Sequence, residues 1–369
     1  MLIGIDASRA NRPEKTGVEW YAFHLLKHFY DLDTQNIYHL YTNNRLATEL
    51  IPDVPNFKEK LLNWPFGRFW TLGRMSLEMI IKKPDILFIP SHTFPLIGGK
   101  KNVITWHDIG YEKYPETYSP WDLASLKQGA KRAFRIADKI ITLSEFTKAE
   151  MVRICKVDPE RIKVIHPGCN HARWQPIADE QISKIKNKHH LSKPYFIFLS
   201  RLSLRKNPLG MIRMYNAFRE QVKIPHHLLL IGRKEPYHQQ IDEEIKASPF
   251  KDEIIKMGWL PPHDLPALLS GAQALVFPSI YEGFGLPTIE AMACGCPVIA
   301  SNAGSLPEVI RNAGLLAKAH DIETFAKHMQ NITENASLKQ DLIKKGFIRS
   351  KEFTWERCAK ETLEILLSV

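Results

Sequence analysis

The sequence predicts an α/β protein made of two domains, each a doubly wound parallel sheet. Three observations predict it. At 369 residues the chain exceeds one ordinary core and suits two. Short, mainly apolar runs alternate with helical patterns, as buried parallel strands and their crossover helices do. That rhythm breaks once, where charge and two prolines crowd 171–194, and then starts again.

In the amino half, strands are expected at 2–5, 37–41, 86–89, 103–106, 140–143 and 162–165. Helices are expected at 17–30, 121–136 and 145–154, the last capped by Ser144. Residues 1–172 form the first domain and 173–194 read as a linker. The second domain, 195–351, has strands at 195–199, 228–231, 254–257, 274–277 and 298–300. Its helices fall at about 207–221, 238–247, 264–270, 286–293 and 321–334. An amphipathic helix at 355–367 closes the chain within a tail of about 352–369.

A net charge of +10 and a pI near 9.2 favour anionic partners: phosphate groups, an acidic leaflet or nucleic acid. Nucleic acid is disfavoured, because the bases are not gathered into a recognition helix and acids intersperse them. Five cysteines lack the second pair that Cys294 and Cys296 would need for zinc, so these two read as small buried residues. The start, MLIGIDAS, reads as a strand interrupted by Asp6 rather than a leader, and no run nears a membrane span. A cytoplasmic protein is expected.

The stretch PSIYEGFGLPTIEAMACGCPVIAS, 278–301, organises the rest. A strand ends at Pro278, a Gly-rich loop follows, then a helix, a small-residue turn and the next strand. That βαβ order sets the loop at the carboxyl edge of a sheet, where open α/β folds bind ligands. Glu282 lies in the loop and Glu290 in the helix, so both acids can face one crevice. Gly283 and Gly285 let bare backbone approach a ligand. After the strand 195–199, Arg201 and Lys206 sit in a strand-to-helix turn where a diphosphate would meet two cations and free amides. Arg205 reads as facing water.

Glu282 and Glu290 with seven residues between them, set in YEGFGLPTIEAMACGCPVIAS, closely resemble the signature of retaining family 4 glycosyltransferases. The likeness is specific over about forty residues and looser over nearly the whole chain. It implies the GT-B fold: two Rossmann-like domains, an interdomain cleft and a tail helix that returns to the first domain. It also implies roles. Arg201 and Lys206 would grip the donor diphosphate. Glu282, Gly283 and the backbone of Phe284, Gly285 and Leu286 would hold the transferred sugar, and Glu290 the ribose hydroxyls. Gly232 would line the same crevice, and backbone near Gly258 and Leu260 would meet the base.

In the first domain the resemblance places His107, just past strand 103–106, beneath the donor sugar. Gly17 would approach a phosphate, although the family usually has two glycines there and this chain has Thr16–Gly17. The following GVEWY resembles a subgroup of bacterial polysaccharide mannosyltransferases. Asp108 reads as a turn cap, and Asp31–Leu32–Asp33 as a surface turn rather than a metal clamp. Residues 60–83 interleave Trp64, Phe66, Phe69 and Trp70 with Lys60, Arg68, Arg74, Lys82 and Lys83, which suits an anionic membrane surface.

The expected reaction is retaining transfer of a hexose to a hydroxyl of a glycan or polyprenyl-linked acceptor in polysaccharide synthesis. The donor would be GDP-mannose or a UDP-hexose, with no cofactor and no metal required. Two alternatives remain open: a catalytically silent sugar-nucleotide-binding subunit, and a UDP-sugar 2-epimerase-like enzyme of the same fold. A nicotinamide oxidoreductase is disfavoured, since IGIDASRANRPEKTG lacks G-x-G-x-x-G.

Overall fold

The structure is a computed structural model describing residues 1–51, 53–66, 69–233 and 238–369. The chain divides into two units, Met1–Gly168 with Thr354–Val369, and Cys169–Phe353.

The first unit holds seven strands: β1 (Leu2–Asp6), β2 (Ile37–Thr42), β3 (Phe57–Leu61), β4 (Ile86–Ile89), β5 (Lys101–Trp106), β6 (Lys139–Thr142) and β7 (Ile162–Val164). All pair in parallel, in the order β3-β2-β1-β4-β5-β6-β7. The central strands are buried on both faces, so they read as continuous apolar runs. β3 was not expected: FKEKL is mostly charged, as an exposed edge strand tolerates.

The returning helix Trp355–Leu367 packs on the long helix Gly17–Leu32. Trp355 stacks on His24 with ring centroids 4.7 Å apart. Gly168 makes room for it, since a Cβ there would lie 2.1 Å from the Trp355 amide nitrogen.

The second unit holds six strands: β8 (Tyr195–Leu199), β9 (His227–Ile231), β10 (Ile254–Gly258), β11 (Leu275–Phe277), β12 (Val298–Ser301) and β13 (Leu315–Ala317). They too are parallel, in the order β10-β9-β8-β11-β12-β13. The order reverses between β9-β8 and β8-β11, where doubly wound sheets open a crevice at their carboxyl ends. The core packs Phe196, Phe198, Met211 and Phe218 against Phe325 and Met329.

The stretch 173–194 is no free linker. It carries the helix Asp179–Lys188 and belongs to the second unit. Ile182 and Ile185 are its half-buried face, and Gly271 leaves the space that the Ile182 Cγ2 approaches. Asp264, fully buried, ties down the helix end through Lys188 (2.7 Å) and His189 (3.0 Å). A second helix the sequence reading missed, Ala336–Lys351, packs on Leu286–Ala293, with Gly346 set against Met292.

Candidate functional site

The site of the second unit begins where β8 ends. A short turn, Leu204–Lys206, leads to Asn207 in the left-handed conformation (φ 60°). Asn207 caps the helix Pro208–Gln221 by accepting from the Gly210 amide, and donates its own amide to Ala319 O at 2.8 Å. A further bond from the same amide to Pro278 O, at 3.3 Å, ties the turn to the loop after β11.

Lys206 and Glu282, 76 residues apart, form a buried ion pair; their residues are 9% and 7% exposed. Burial holds the Lys206 amine below the usual lysine range. Glu282 opposes that shift, while the like charges of Arg205 and Arg201 reinforce it. Two further cations thus lie near the Lys206 ammonium that pairs with Glu282 at the sheet's carboxyl edge. Arg205 does not face water: it is 8% exposed, with its guanidinium 5.8 Å from the Tyr281 ring centroid and its carbonyl accepting from Ile280 N–H.

The Glu282 backbone is gripped from the next crossover. Its carbonyl accepts from both the amide and the hydroxyl of Ser305, at 3.1 and 3.2 Å. Gly304 (φ +63°) passes so close that a Cβ would lie 2.5 Å from the Glu282 oxygen. Sequence reading missed Gly304 and Ser305, although N-A-G-S follows β12 at the same sheet edge. Gly285 (φ +95°) starts the helix Leu286–Ala293, and Gly283 and Phe284 lie buried between it and Glu282. Phe284 packs edge-on against Phe353, 5.6 Å between centroids.

Glu290 lies half-buried one turn into that helix. Burial pushes its carboxyl up to about 7, and the Arg173 guanidinium partly offsets this. Its electrostatic neighbours are therefore Arg173, Cys169 and Cys294 rather than Lys206. Gly232 packs its backbone onto the β8 exit, where a Cβ would meet Ser200 O at 1.7 Å. Its amide donates to Gly258 O at 2.9 Å. Gly258 has φ +67° with open space where a side chain would project; Leu260 is buried and Trp259 half exposed.

In the first unit, His107 follows β5 and is 7% exposed. Its Nε2 meets Pro90 O at 3.2 Å, which makes Nε2 the protonated nitrogen and leaves Nδ1 an acceptor. Burial lowers its pKa, so the ring is neutral at physiological pH. Tyr21 meets it edge-on at 5.0 Å. Gly17 opens its helix behind Thr16, the cap, which shares a capping box with Glu19. Glu19 is 5% exposed and pairs with Arg9 at 3.5 Å. Burial alone would raise its carboxyl, but the Thr16 hydrogen bonds and Arg9 outweigh it and hold it low.

Asp108 accepts from Gly110 N–H and Ser144 from Thr147 N–H, both as caps. Asp33 builds a turn by accepting from the amides of Gln35 and Asn36. Cys294 and Cys296 are free and buried.

The 60–83 segment departs from expectation. Trp70 is a core residue whose indole donates to Leu62 O at 2.8 Å, and Trp64 packs on the same cluster. Arg68 lies outside the described residues. Its exposed residues include the large apolar Phe66, Phe69, Leu77, Ile80 and Ile81, together with Lys82 and Lys83. No helix among the described residues is long and apolar enough to cross a membrane.

Two Rossmann-like parallel units, the second bearing a cationic strand-to-helix turn paired with the E-G-F-G loop, define the GT-B class of glycosyltransferase. Residues 15–173 match the model of Glycosyltransferase Family 4, and residues 179–349 that of Glycosyl transferases group 1. The chain belongs to this family of glycosyltransferases. It is 29% identical over 266 residues to the O-antigen chain mannosyltransferase B of Escherichia coli, covering 72% of this chain and 69% of that one. Against the serotype-specific mannosyltransferase WbdA of Escherichia coli it is 26% identical over 236 residues, 63% of this chain but only 29% of that protein.

Among solved structures it is similar to the sucrose-phosphate synthase of Thermosynechococcus elongatus, with TM-score 0.79 and 20% identity over 100% of this chain and 98% of the other. It is also similar to Anabaena HepE in complex with UDP and glucose, with TM-score 0.77 and 19% identity over 100% and 99%. At such identities these two likenesses speak to the fold.

Proposed function

We propose that the chain transfers a hexose from a nucleotide diphosphate sugar to a hydroxyl of a glycan or lipid-linked acceptor, with retention at the anomeric carbon. The observation that carries this reading is the buried Lys206–Glu282 pair flanked by Arg201 and Arg205. As the bond between the anomeric carbon and the diphosphate breaks, negative charge builds on the leaving oxygens. Lys206, fixed in a turn before it is needed, stabilises that charge without reorganising, and the exposed Arg201 nearby adds to it, the role a metal fills in other transferases. Glu282 accepts from sugar hydroxyls while it holds Lys206 in place. The acceptor hydroxyl adds from the leaving-group face, forming the new C–O bond as the old one breaks, and its proton passes to the departing diphosphate oxygen. His107, neutral, exchanges hydrogen bonds with sugar hydroxyls.

Mannose is the first choice of sugar, since the O-antigen relative is a mannosyltransferase, with GDP-mannose as donor. A UDP-hexose follows closely, because the structural neighbour holds UDP and glucose. We also propose that the chain docks peripherally on an anionic cytoplasmic leaflet. There Phe66, Phe69, Ile80 and Ile81 enter the headgroups beside Lys82 and Lys83. Incubating the purified chain with each donor and a polyprenyl-linked glycan tests the transfer. New product whose anomeric coupling matches the donor's supports it. Nucleotide binding without product would favour a silent subunit, and a released isomerised sugar an epimerase.

A further inference from the structure

Arg173 lies in a stretch that looked like the start of a linker, yet the structure builds it in. Its amide and that of Trp174 both donate to Asn170 O, at 3.0 and 2.8 Å, closing a tight turn. The Ile177 amide donates to Ser270 Oγ, and that hydroxyl donates to Cys294 O at the end of the Glu290 helix. From this turn the guanidinium lies 4.5 Å from the Trp174 ring centroid, and Nη2 donates to Pro262 O at 2.8 Å. Pro262 closes the loop that follows Gly258 and Leu260. The same cation is the charged group acting on Glu290. One side chain thus touches the 259–262 loop and biases the helix that bears the acid. Arginine suits both tasks, because its planar fork donates from one nitrogen while the charge is spread over the group.

We propose that Arg173 is a positioning residue for nucleotide-sugar binding: it fixes the 259–262 loop beside the end of the Glu290 helix. This rests on the reading of Glu290 and the Gly258–Leu260 backbone as nucleotide contacts. The titratable groups whose charges reach Glu290 are Arg173, Cys169 and Cys294. Burial holds both thiols protonated far above neutral pH, so among the described residues Arg173 is the charge that opposes the effect of burial on Glu290. Without it, a carboxyl already raised by burial would hold its proton to higher pH, leaving it a poorer acceptor for a ribose hydroxyl.

The test is calorimetric titration of the full-length chain with GDP, UDP and their sugars between pH 6 and 9. It compares wild type, Arg173→Gln, Arg173→Lys and Glu290→Gln. Arg173→Gln should weaken nucleotide binding about tenfold or more at pH 7, with the loss shrinking as pH rises, since Arg173 acts to lower the Glu290 pKa. Arg173→Lys should keep the wild-type pH profile, because the charge stays, but bind severalfold more weakly, because the Pro262 contact goes. Wild-type affinity and profile in Arg173→Gln would overturn the inference, as would an equal loss at every pH in both Arg173 variants. If Glu290→Gln weakens binding while Arg173→Gln does not, the inference fails and the nucleotide site stands. If the wild type binds no nucleotide, both fail.

Discussion

Replacing Lys206 with alanine should damage the second unit in two separable ways. Lys206 and Glu282 are each less than a tenth exposed, and the carboxylate's cation is the Lys206 ammonium. Removing one partner of such a pair leaves a buried charge uncompensated, which costs about 3–5 kcal/mol. Arg201 and Arg205 are close enough to bias Lys206 and can take up part of the burden, so the lower end is expected. For a unit of this size that corresponds to a melting-temperature drop on the order of 10 °C. Turnover should fall by more than about a hundredfold, the usual loss when a group that stabilises leaving-group charge is removed. Denaturant unfolding and initial rates measure the two effects. Adding Glu282→Gln to Lys206→Ala should return part of the stability, since a neutral amide is cheaper to bury, but none of the activity. A single variant within about 0.5 kcal/mol of wild type, of the size expected for a surface site, would refute the buried-pair reasoning.

Gly304→Ala should lower stability by roughly 1–3 kcal/mol and turnover with it. At φ +63° its new methyl would press on the Glu282 backbone, as unfolding and kinetic assays would show. Glu290→Gln should stabilise the ligand-free chain at pH 8 by about 1–3 kcal/mol, discounted for partial exposure. The sign follows from a folded pKa of about 7 against an unfolded value of 4.5. The folded chain binds the extra proton between those values, so wild-type stability falls as pH rises through that window and the variant's does not. Unfolding midpoints from pH 4.5 to 8 would show the difference. Ile80→Asp with Ile81→Asp should abolish flotation with anionic vesicles and leave the melting temperature unchanged, because both side chains are more than 60% exposed. Trp70→Ala should instead unfold the first unit at lower temperature, since Trp70 belongs to its core.

Periodicity and punctuation made most elements legible. The helices Leu286–Ala293, His238–Ala247 and Trp355–Leu367 begin and end where the sequence placed them. Gly285 and Pro287 mark the start of the first, and Cys294–Gly295 its end. What escaped is polar or short. The strand β3 is FKEKL, β13 has three residues, and the helix Asp179–Lys188 offers only two isoleucines as an apolar face. Side-chain fate was harder to read than backbone. Nothing in a run of aromatics and bases tells that the Trp70 indole finds Leu62 O while Phe66 and Phe69 stay outside. Nor does a lone basic turn reveal that Arg205 points inward, because three residues of tight turn carry no burial period. The Lys206–Glu282 contact joins residues 76 apart, and the motif supplied its members while the fold supplied the pairing. Arg173 was invisible for the reason that hid the helix Asp179–Lys188 just after it: charge next to proline looks like linker.

Titrating GDP, UDP and ADP into the wild type and Lys206→Ala, with heat or melting temperature as readout, asks most directly whether the cations around Glu282 receive a nucleoside diphosphate. One of the three should bind the wild-type chain and raise its melting temperature, and its affinity should fall at least tenfold in the variant. Indifference of the wild type to all three, or equal affinity in both proteins, would show that the buried pair only holds the fold together.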